Sequence, residues 1–321
     1  MKILSVADIH ITLHKEKIPY EWQVNRFKLL FESLLELEKE CDVTVIAGDI
    51  FDKKPELDEI ALFLTYANRV QKPTIAIPGN HEASEKGKTF LEHFTKDHAL
   101  NNPNFKLYTN NSRVVINGQG FQLFPYGEMQ INKIPEYVEN DILVTHIRGA
   151  VPPHITAEFD FEKINKWKLV LLGDLHFRHQ YNNKPIFYPG SPLNTKFDRD
   201  DSRKYGVDII YFLDINNYNV VFVDLDLPKL IRKTINAGEP LLEHDKHHIV
   251  YEIKGSIDVL SKIKNHKLLD KKIADTPSTT SLLNLSGLSL KEEIVSYLKY
   301  IKTEESRIDK VLILLDELNI K

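Results

Sequence analysis

An α/β fold with a largely parallel sheet is what this chain predicts, on three observations. Apolar runs and amphipathic stretches alternate from Lys2 to Ile77 in the order strand, helix, strand, helix, strand. Five apolar runs read as strands buried on both faces. Each of those five ends in a loop carrying Asp, His or Asn: Asp8-Ile9-His10, Gly48-Asp49-Ile50-Phe51-Asp52, Gly79-Asn80-His81-Glu82, Thr145-His146 and Gly173-Asp174-Leu175-His176. The carboxyl ends of strands are where open α/β sheets place their ligands.

Taken in order, Lys2–Ala7 is the first strand. Tyr20–Glu40 reads as a helix, because Val24, Phe27, Leu30, Phe31, Leu34 and Leu37 recur at helical spacing between charges. The strand Val43–Ala47 follows, with Cys41 expected in the core at its entry. Leu57–Val70 is a second amphipathic helix, Thr74–Ile77 a third strand and Thr89–Asp97 a short helix. After Phe105 the texture changes to short apolar stretches, Phe105–Tyr108, Arg113–Ile116 and Gly120–Phe124, joined by Asn- and Gly-rich turns. That predicts antiparallel strands. Buried strands return at Ile142–Thr145 and Leu169–Leu172, and Gly206–Leu213 with Val220–Asp226 forms a hairpin about Asn216-Asn217. Residues 1–228 are therefore expected to form the main domain.

From Lys229 the chain is lysine-rich with smaller apolar runs: Ile249–Ile253, a helix at Ile257–Ile263, then Lys267–Ile273. Residues 229–275 are expected to be a small α+β domain, and 276–287, beside Pro277 and a Ser/Thr cluster, a linker. Two amphipathic helices, Leu290–Ile301 and Glu304–Leu318, make a last segment, 288–321.

The totals exclude several classes. With 42% hydrophobic and 27% charged residues the composition is ordinary for a globular protein. One cysteine rules out an internal disulfide and fits a reducing, cytoplasmic compartment. Met1–Val6 is too short and ill-flanked for a signal peptide, and no run approaches the length of a membrane helix. Net charge is −4, so nucleic-acid binding would have to come from a local patch or from metals.

Any single one of the five loops fits a strand-ending turn, since Asp, Asn and Gly favour turns. Five in this order point to metal ligation. The series Asp-x-His, Gly-Asp, Gly-Asn-His-Glu, His and Gly-x-x-His, from Asp8 to His176, resembles the calcineurin-like metallophosphoesterases. The resemblance implies a β-sandwich flanked by helices and two divalent ions. It implies that Asp8, His10 and His176 bind one metal, that Asn80, His146 and Asp174 bind the other, and that Asp49 bridges both. His81 would face the phosphate, with Glu82 orienting it. Asp52 is either a further active-site residue or the cap of the next segment. Mixed imidazole and carboxylate ligands with a large oxygen share lean toward Mn²⁺, with Mg²⁺ as the alternative.

The family pattern has Gly-His-x-His where this chain has Gly173-Asp174-Leu175-His176. Either the Asp174 carboxylate replaces the missing imidazole, or it stands behind the site and His179 completes it or the second metal is weak.

Tyr188-Pro189-Gly190-Ser191-Pro192 narrows the resemblance to the SbcD-type nuclease subunits of SbcC–SbcD complexes. That branch implies DNA contacts from Ser191, Arg178, Lys184 and Lys196. The competing readings are a plain turn at Ser191 and a solvated surface loop, because Asp198, Asp200 and Asp201 are interspersed. His244, His247 and His248 read as a charged surface turn. In that branch 229–275 would be a DNA-facing cap, and 288–321 would grip the coiled-coil root of an SbcC-type ABC ATPase. The stripe Ile308, Val311, Leu312, Leu315 and Leu318 suits such docking, or packing onto its own domain.

The resemblance thus implies a metal-dependent DNA exonuclease and endonuclease acting on double- and single-stranded DNA in repair, recombination or replication. It implies a homodimer within a heterotetramer, in a compact, phage-like version. A stand-alone phosphatase or nucleotide phosphodiesterase and a non-catalytic DNA-binding scaffold are the alternatives, and the intact His81 speaks against the last.

Overall fold

The structure is a computed structural model that describes residues 1–321 except 84–87, 97–99, 128–135, 151–155, 168, 182–183, 215, 275–284, 286–287 and 318–321. Its first elements are β1 (Lys2–Val6), α1 (Tyr20–Glu38), β2 (Val43–Ala47), α2 (Leu57–Ala67), β3 (Thr74–Ile77) and α3 (Glu92–Lys96). Then come β4 (Phe105–Leu107), β5 (Ser112–Ile116), β6 (Gln119–Phe124), β7 (Ile142–His146), a 3-10 turn (Phe161–Ile164), β8 (Val170–Gly173), β9 (His179–Gln180) and β10 (Ile186–Tyr188). The chain continues with β11 (Gly206–Asp214), β12 (Asn217–Asp224), β13 (Leu230–Asn236), β14 (His248–Gly255), α4 (Ile257–Lys262), β15 (Leu269–Ala274), α5 (Leu290–Tyr300) and α6 (Glu305–Glu317).

Two six-stranded sheets run β12-β11-β1-β2-β3-β4 and β5-β6-β7-β8-β10-β9. Alternation along each strand sends side chains to opposite faces. Ile3, Val43, Val45 and Ile75 of the first sheet meet Phe121, Leu123, Val144 and Leu171 of the second in a shared core. Leu4, Val6 and Ile46, on the other face, pack under α1 and α2 against Phe27, Leu30, Phe63 and Tyr66. The outer face of the second sheet is covered through Phe161, Trp167 and Tyr188. The result is the expected sandwich flanked by helices. Its inner strands are apolar throughout because each has a core on both sides.

Strand direction after Phe105 differs from expectation. β3 pairs with β4 in parallel, and so do β6 with β7, β7 with β8 and β8 with β10. β5–β6, β9–β10 and β11–β12 are antiparallel pairs of strands adjacent in the chain. Those three are neighbours joined by short turns, whereas parallel neighbours need long crossovers, and long crossovers do not announce direction. β9, β10 and β13 escaped the sequence reading because they are very short or, in β13, interrupted by Arg232 and Lys233.

The chain divides into two compact units. The first comprises 1–234, 240–252 and 265–270; the second comprises 235–239, 253–264 and 271–321. This division cuts across the expected 229–275 segment, and most of the expected linker lies outside the described residues. A separate three-stranded sheet has the order β13-β14-β15. In the second unit Ser289 caps α5 by accepting the Glu292 N–H, and α6 buries Ile308 and Leu315. Of the expected stripe, then, two members are already packed, and Leu318 is outside the described residues. Exposed apolar side chains on and beside these two helices include Leu290, Tyr297, Tyr300, Ile301, Ile313 and Leu314. Among the described residues, no helix is long and apolar enough to cross a membrane.

Candidate metal centre

The strand-end loops adopt backbone that few side chains tolerate. Asp8, His10, Asp49 and Asp174 have φ of 53°, 51°, 52° and 100°. Such non-glycine conformations cost roughly 1–3 kcal/mol each and persist where surroundings enforce them. Here the enforcement is a ladder between loops: Asp8 N–H donates to Gly48 O (3.1 Å), His10 N–H to Asp49 O (3.0 Å) and Ile11 N–H to Ile50 O (2.8 Å). Two glycines let β7 and β8 approach β2. A Cβ on Gly48, itself at φ +87°, would lie 2.3 Å from His146 Nδ1. One on Gly173 would lie 2.0 Å from Ala47 O.

Asp49 stands at the centre. Its Oδ1 is 3.4 Å from His146 Nε2, and its Oδ2 is 3.5 Å from His10 Nε2 and 3.9 Å from His81 Nε2. His10 Nε2 lies 2.9 Å from His176 Nε2. Three of these four rings have the other nitrogen hydrogen-bonded from outside, and the fourth, that of His10, faces the Asp52 carboxylate without a hydrogen bond. His146 Nδ1 meets Ala47 O (2.8 Å), His81 Nδ1 meets Asp52 O, His10 Nδ1 lies 3.4 Å from Asp52 Oδ1, and His176 Nδ1 lies 3.1 Å from Thr195 Oγ1. A proton on Nδ1 leaves the Nε2 lone pairs of His10, His146 and His176 directed inward, the arrangement of ligating histidines. The ligand atoms of Asp8, His10 and His176 lie within 4.8 Å of one another, as do those of Asp8, Asp49 and His146, and those of His10, Asp49 and His81.

This donor set fits cations. Asp8 and Asp49 are fully buried, and Asp8 Oδ2 has no hydrogen-bond partner. The inward atom of the Asn80 amide is 2.9 Å from His146 Nε2 and 3.0 and 3.1 Å from the Asp49 oxygens. An amide oxygen there faces only acceptors, so either the amide turns its NH₂ inward or a cation gathers the three groups. Ligands roughly 2.0–2.2 Å from one ion sit about 3 Å apart, close to the separations observed. Burial, then the Asp49 charge, pushes the Asp8 carboxyl well above its ordinary value. Burial, then His10, pushes His176 down to about 4. A cation favours the deprotonated form of both groups.

The structure brings Asp8, His10, Asp49, Asn80, His81, His146 and His176 together. It places other expected residues differently. Glu82 does not orient His81. Its fully buried carboxylate accepts three backbone N–H groups, from Asp49 (3.1 Å), Phe51 (2.7 Å) and Gly79 (2.8 Å), and so ties the loops after β2 and β3 together. Burial and the neighbouring Asp49 push its pKa up to about 8. Asp52 does not cap α2, whose N-cap is Glu56. It serves His10 with its carboxylate and His81 with its carbonyl, and the contact with His10 holds its own pKa below the ordinary value.

Asp174 donates its backbone N–H to Asp8 Oδ1 (2.9 Å), and its carboxylate is in none of the ligand clusters among the described residues. His179 lies on β9 opposite Tyr188 and is in none of them either. Ser191 is buried with its hydroxyl 2.6 Å from Asp8 O and 2.5 Å from Leu193 O, so it supports the metal loop and does not face a phosphate. Arg178 pairs with Asp208 (2.6 Å) and Lys184 with Glu162, while Lys196 is exposed. Sequence reasoning missed Thr195, since nothing in its surroundings marks it.

The calcineurin-like phosphoesterase family profile matches residues 1–222. The chain belongs to the calcineurin-like phosphoesterases. This phosphoesterase is 35% identical over 324 residues to the probable exonuclease subunit 1 of Escherichia phage T5, covering 97% of each chain. Among solved structures, a Thermus thermophilus protein is 10% identical, with 70% of this chain and 98% of that one covered at a TM-score of 0.43. A predicted phosphoesterase from Streptococcus pneumoniae is 13% identical, with 70% and 90% covered at a TM-score of 0.33.

Proposed function

We propose that this phosphoesterase is a two-metal DNA phosphodiesterase, the nuclease subunit of an SbcCD-like complex that processes DNA ends. The observation that carries the reading is Asp49, whose two oxygens face two separate imidazole groups, Oδ1 toward His146 and Oδ2 toward His10. Asp8, His10 and His176 would hold one cation, Asn80 and His146 with Asp174 the other, and Asp49 would serve both. When bound, two such ions, Mn²⁺ foremost and Mg²⁺ as the alternative, would draw charge from the phosphate oxygens and acidify the attacking water.

The chain's own residues do the rest. His81 is partly exposed, and its Nδ1 is fixed on Asp52 O. Its Nε2 is thereby presented to the phosphate, and in the doubly protonated ring the Nε2–H would stabilise charge there or pass to the leaving oxygen. Asp52 orients His81 and His10 together.

The substrate class rests on the phage T5 relative, named an exonuclease and matched almost end to end. Lys196, exposed and acting on His176, would meet the DNA backbone together with Arg178 and Lys184. The relative is named a subunit, which supports a partner. We assign the docking of a coiled-coil ABC ATPase to the exposed faces of α5 and α6, in a heterotetramer built on a homodimer in the host cytoplasm.

Purified chain with Mn²⁺ should cut labelled duplex and single-stranded DNA. DNA left intact in the presence of its partner, beside rapid hydrolysis of small phosphomonoesters, would replace this reading with that of a stand-alone phosphatase.

A further inference from the structure

We infer that Thr195 is a positioning residue that sets the tautomer and orientation of His176, and through it the metal position formed by Asp8, His10 and His176. The inference rests on the two-metal reading above. His146 and His81 hydrogen-bond outward to Ala47 O and Asp52 O, at the end of β2 and in the loop that follows it, and His10 Nδ1 faces Asp52 Oδ1 of the same loop at 3.4 Å. His176 differs. Its Nδ1 reaches the hydroxyl of Thr195 at 3.1 Å, and among the described residues that hydroxyl makes no other hydrogen bond.

The backbone that carries this hydroxyl is held from several sides. Lys15 Nζ donates to Thr195 O at 2.5 Å. The preceding residue, Asn194, is buried and fully engaged. Its Oδ1 accepts from Arg26 Nη2 (2.5 Å) and Leu230 N (3.1 Å), and its Nδ2 donates to Leu230 O (2.7 Å) and Lys196 O (3.0 Å). Arg26 is itself buried, and among the described residues its guanidinium donates only to neutral acceptors, Pro228 O (2.8 Å) and both oxygens of Asn194. Burying a cation without a carboxylate costs stability. This one fixes the backbone on either side of Asn194 and so the placement of the next side chain.

The consequence is a matter of one proton. With Oγ1 accepting from Nδ1–H, His176 turns an Nε2 lone pair toward His10 Nε2, 2.9 Å away. Without an acceptor at Nδ1 the proton is free to move to Nε2, where it blocks ligation. Outer partners of ligating histidines are typically worth about 10–100-fold in metal affinity. Valine in place of Thr195 keeps the volume and removes the acceptor. Serine keeps the acceptor and removes a methyl group.

The test uses the full-length, metal-free protein as wild type, Thr195→Val and Thr195→Ser, titrated with Mn²⁺ by calorimetry and electron paramagnetic resonance. Long-range ¹H–¹⁵N spectra report the His176 tautomer before metal is added. Wild type should bind two ions. Thr195→Val should keep one at wild-type affinity, bind the other about 10–100-fold more weakly and lose the pure Nδ1–H signature. Thr195→Ser should recover both properties. Two ions bound to Thr195→Val as tightly as to wild type, or Thr195→Ser as weak as Thr195→Val, would overturn the inference alone. Wild type that binds no Mn²⁺ would overturn the two-metal reading and this inference with it.

Discussion

Replacing Glu82 separates two roles for one carboxylate. Its place beside His81 in the sequence suggests that it orients the catalytic ring, whereas in the structure it accepts N–H groups from Asp49, Phe51 and Gly79. A buried donor left without an acceptor costs about 1–3 kcal/mol. In Glu82→Ala three are orphaned at a fully buried position, and water entering the vacated space would satisfy some of them. We therefore expect a loss of about 3–5 kcal/mol in unfolding free energy, toward the lower end of three such penalties. In Glu82→Gln the amide oxygen still serves Asp49 and Gly79, but its NH₂ meets the Phe51 N–H, so roughly 1–3 kcal/mol is lost. Urea unfolding in EDTA should rank wild type above Glu82→Gln and Glu82→Ala last. Glu82→Ala within about 0.5 kcal/mol of wild type, with only its turnover impaired, would refute the scaffold role and restore the catalytic one.

His81→Ala should still bind two Mn²⁺ ions but cleave DNA about 10²–10⁴-fold more slowly, and loss of an ion in this variant would make His81 a ligand. Asp174→Ala should weaken one ion, Asp174→His should partly restore it, and His179→Ala should change little; two tightly held ions in Asp174→Ala would reduce Asp174 to its backbone bond with Asp8. Metal-free protein should lose stability as pH rises from about 7 to 8.5. Glu82, at about 8 when folded, holds protons there that the unfolded chain has released, and burial shifts Asp8 in the same direction. His176, pushed down to about 4, acts in the opposite sense only below about 6.5, outside that window. A melting temperature in EDTA that rises across this interval would contradict the argument.

Much of this was legible in the chain because the strands are buried on both faces. β2 and β3 fall where unbroken apolar runs stop, and the ligand-bearing loops begin at those stops. Direction was not legible. β4 follows β3 in parallel although its surroundings are rich in turn residues, because turn chemistry describes only immediate neighbours. Side-chain heading was not legible either. Glu82 follows His81 in sequence yet points into the backbone of two loops, while His81 points outward. Ser191 sits in a loop that looks built for phosphate, and its hydroxyl turns back to Asp8 O. Thr195 left no trace because holding a ring proton needs only an oxygen at the right distance. At His146 a backbone carbonyl does the same work, so no residue type is diagnostic.

These placements make the segment from Ala47 to Asp52 the common reference for the centre. It supplies the shared carboxylate of Asp49, the outer hydrogen-bond partners of His146 and His81 at Ala47 O and Asp52 O, and the Asp52 carboxylate that faces His10. Glu82 holds that segment through the Asp49 and Phe51 N–H groups and joins it to Gly79, next to Asn80. Disturbing Glu82 should therefore move ligands of both cations together, and both Mn²⁺ affinities should fall in Glu82→Ala. Thr195 lies on a different segment, anchored by Arg26 and Leu230, and touches one ring only. Its loss should be confined to one ion. The same calorimetric titration thus reads two different patterns from two outer contacts. Equal weakening of both ions in Thr195→Val, or of a single ion in Glu82→Ala, would show that the division between the two segments is not the one that governs the site.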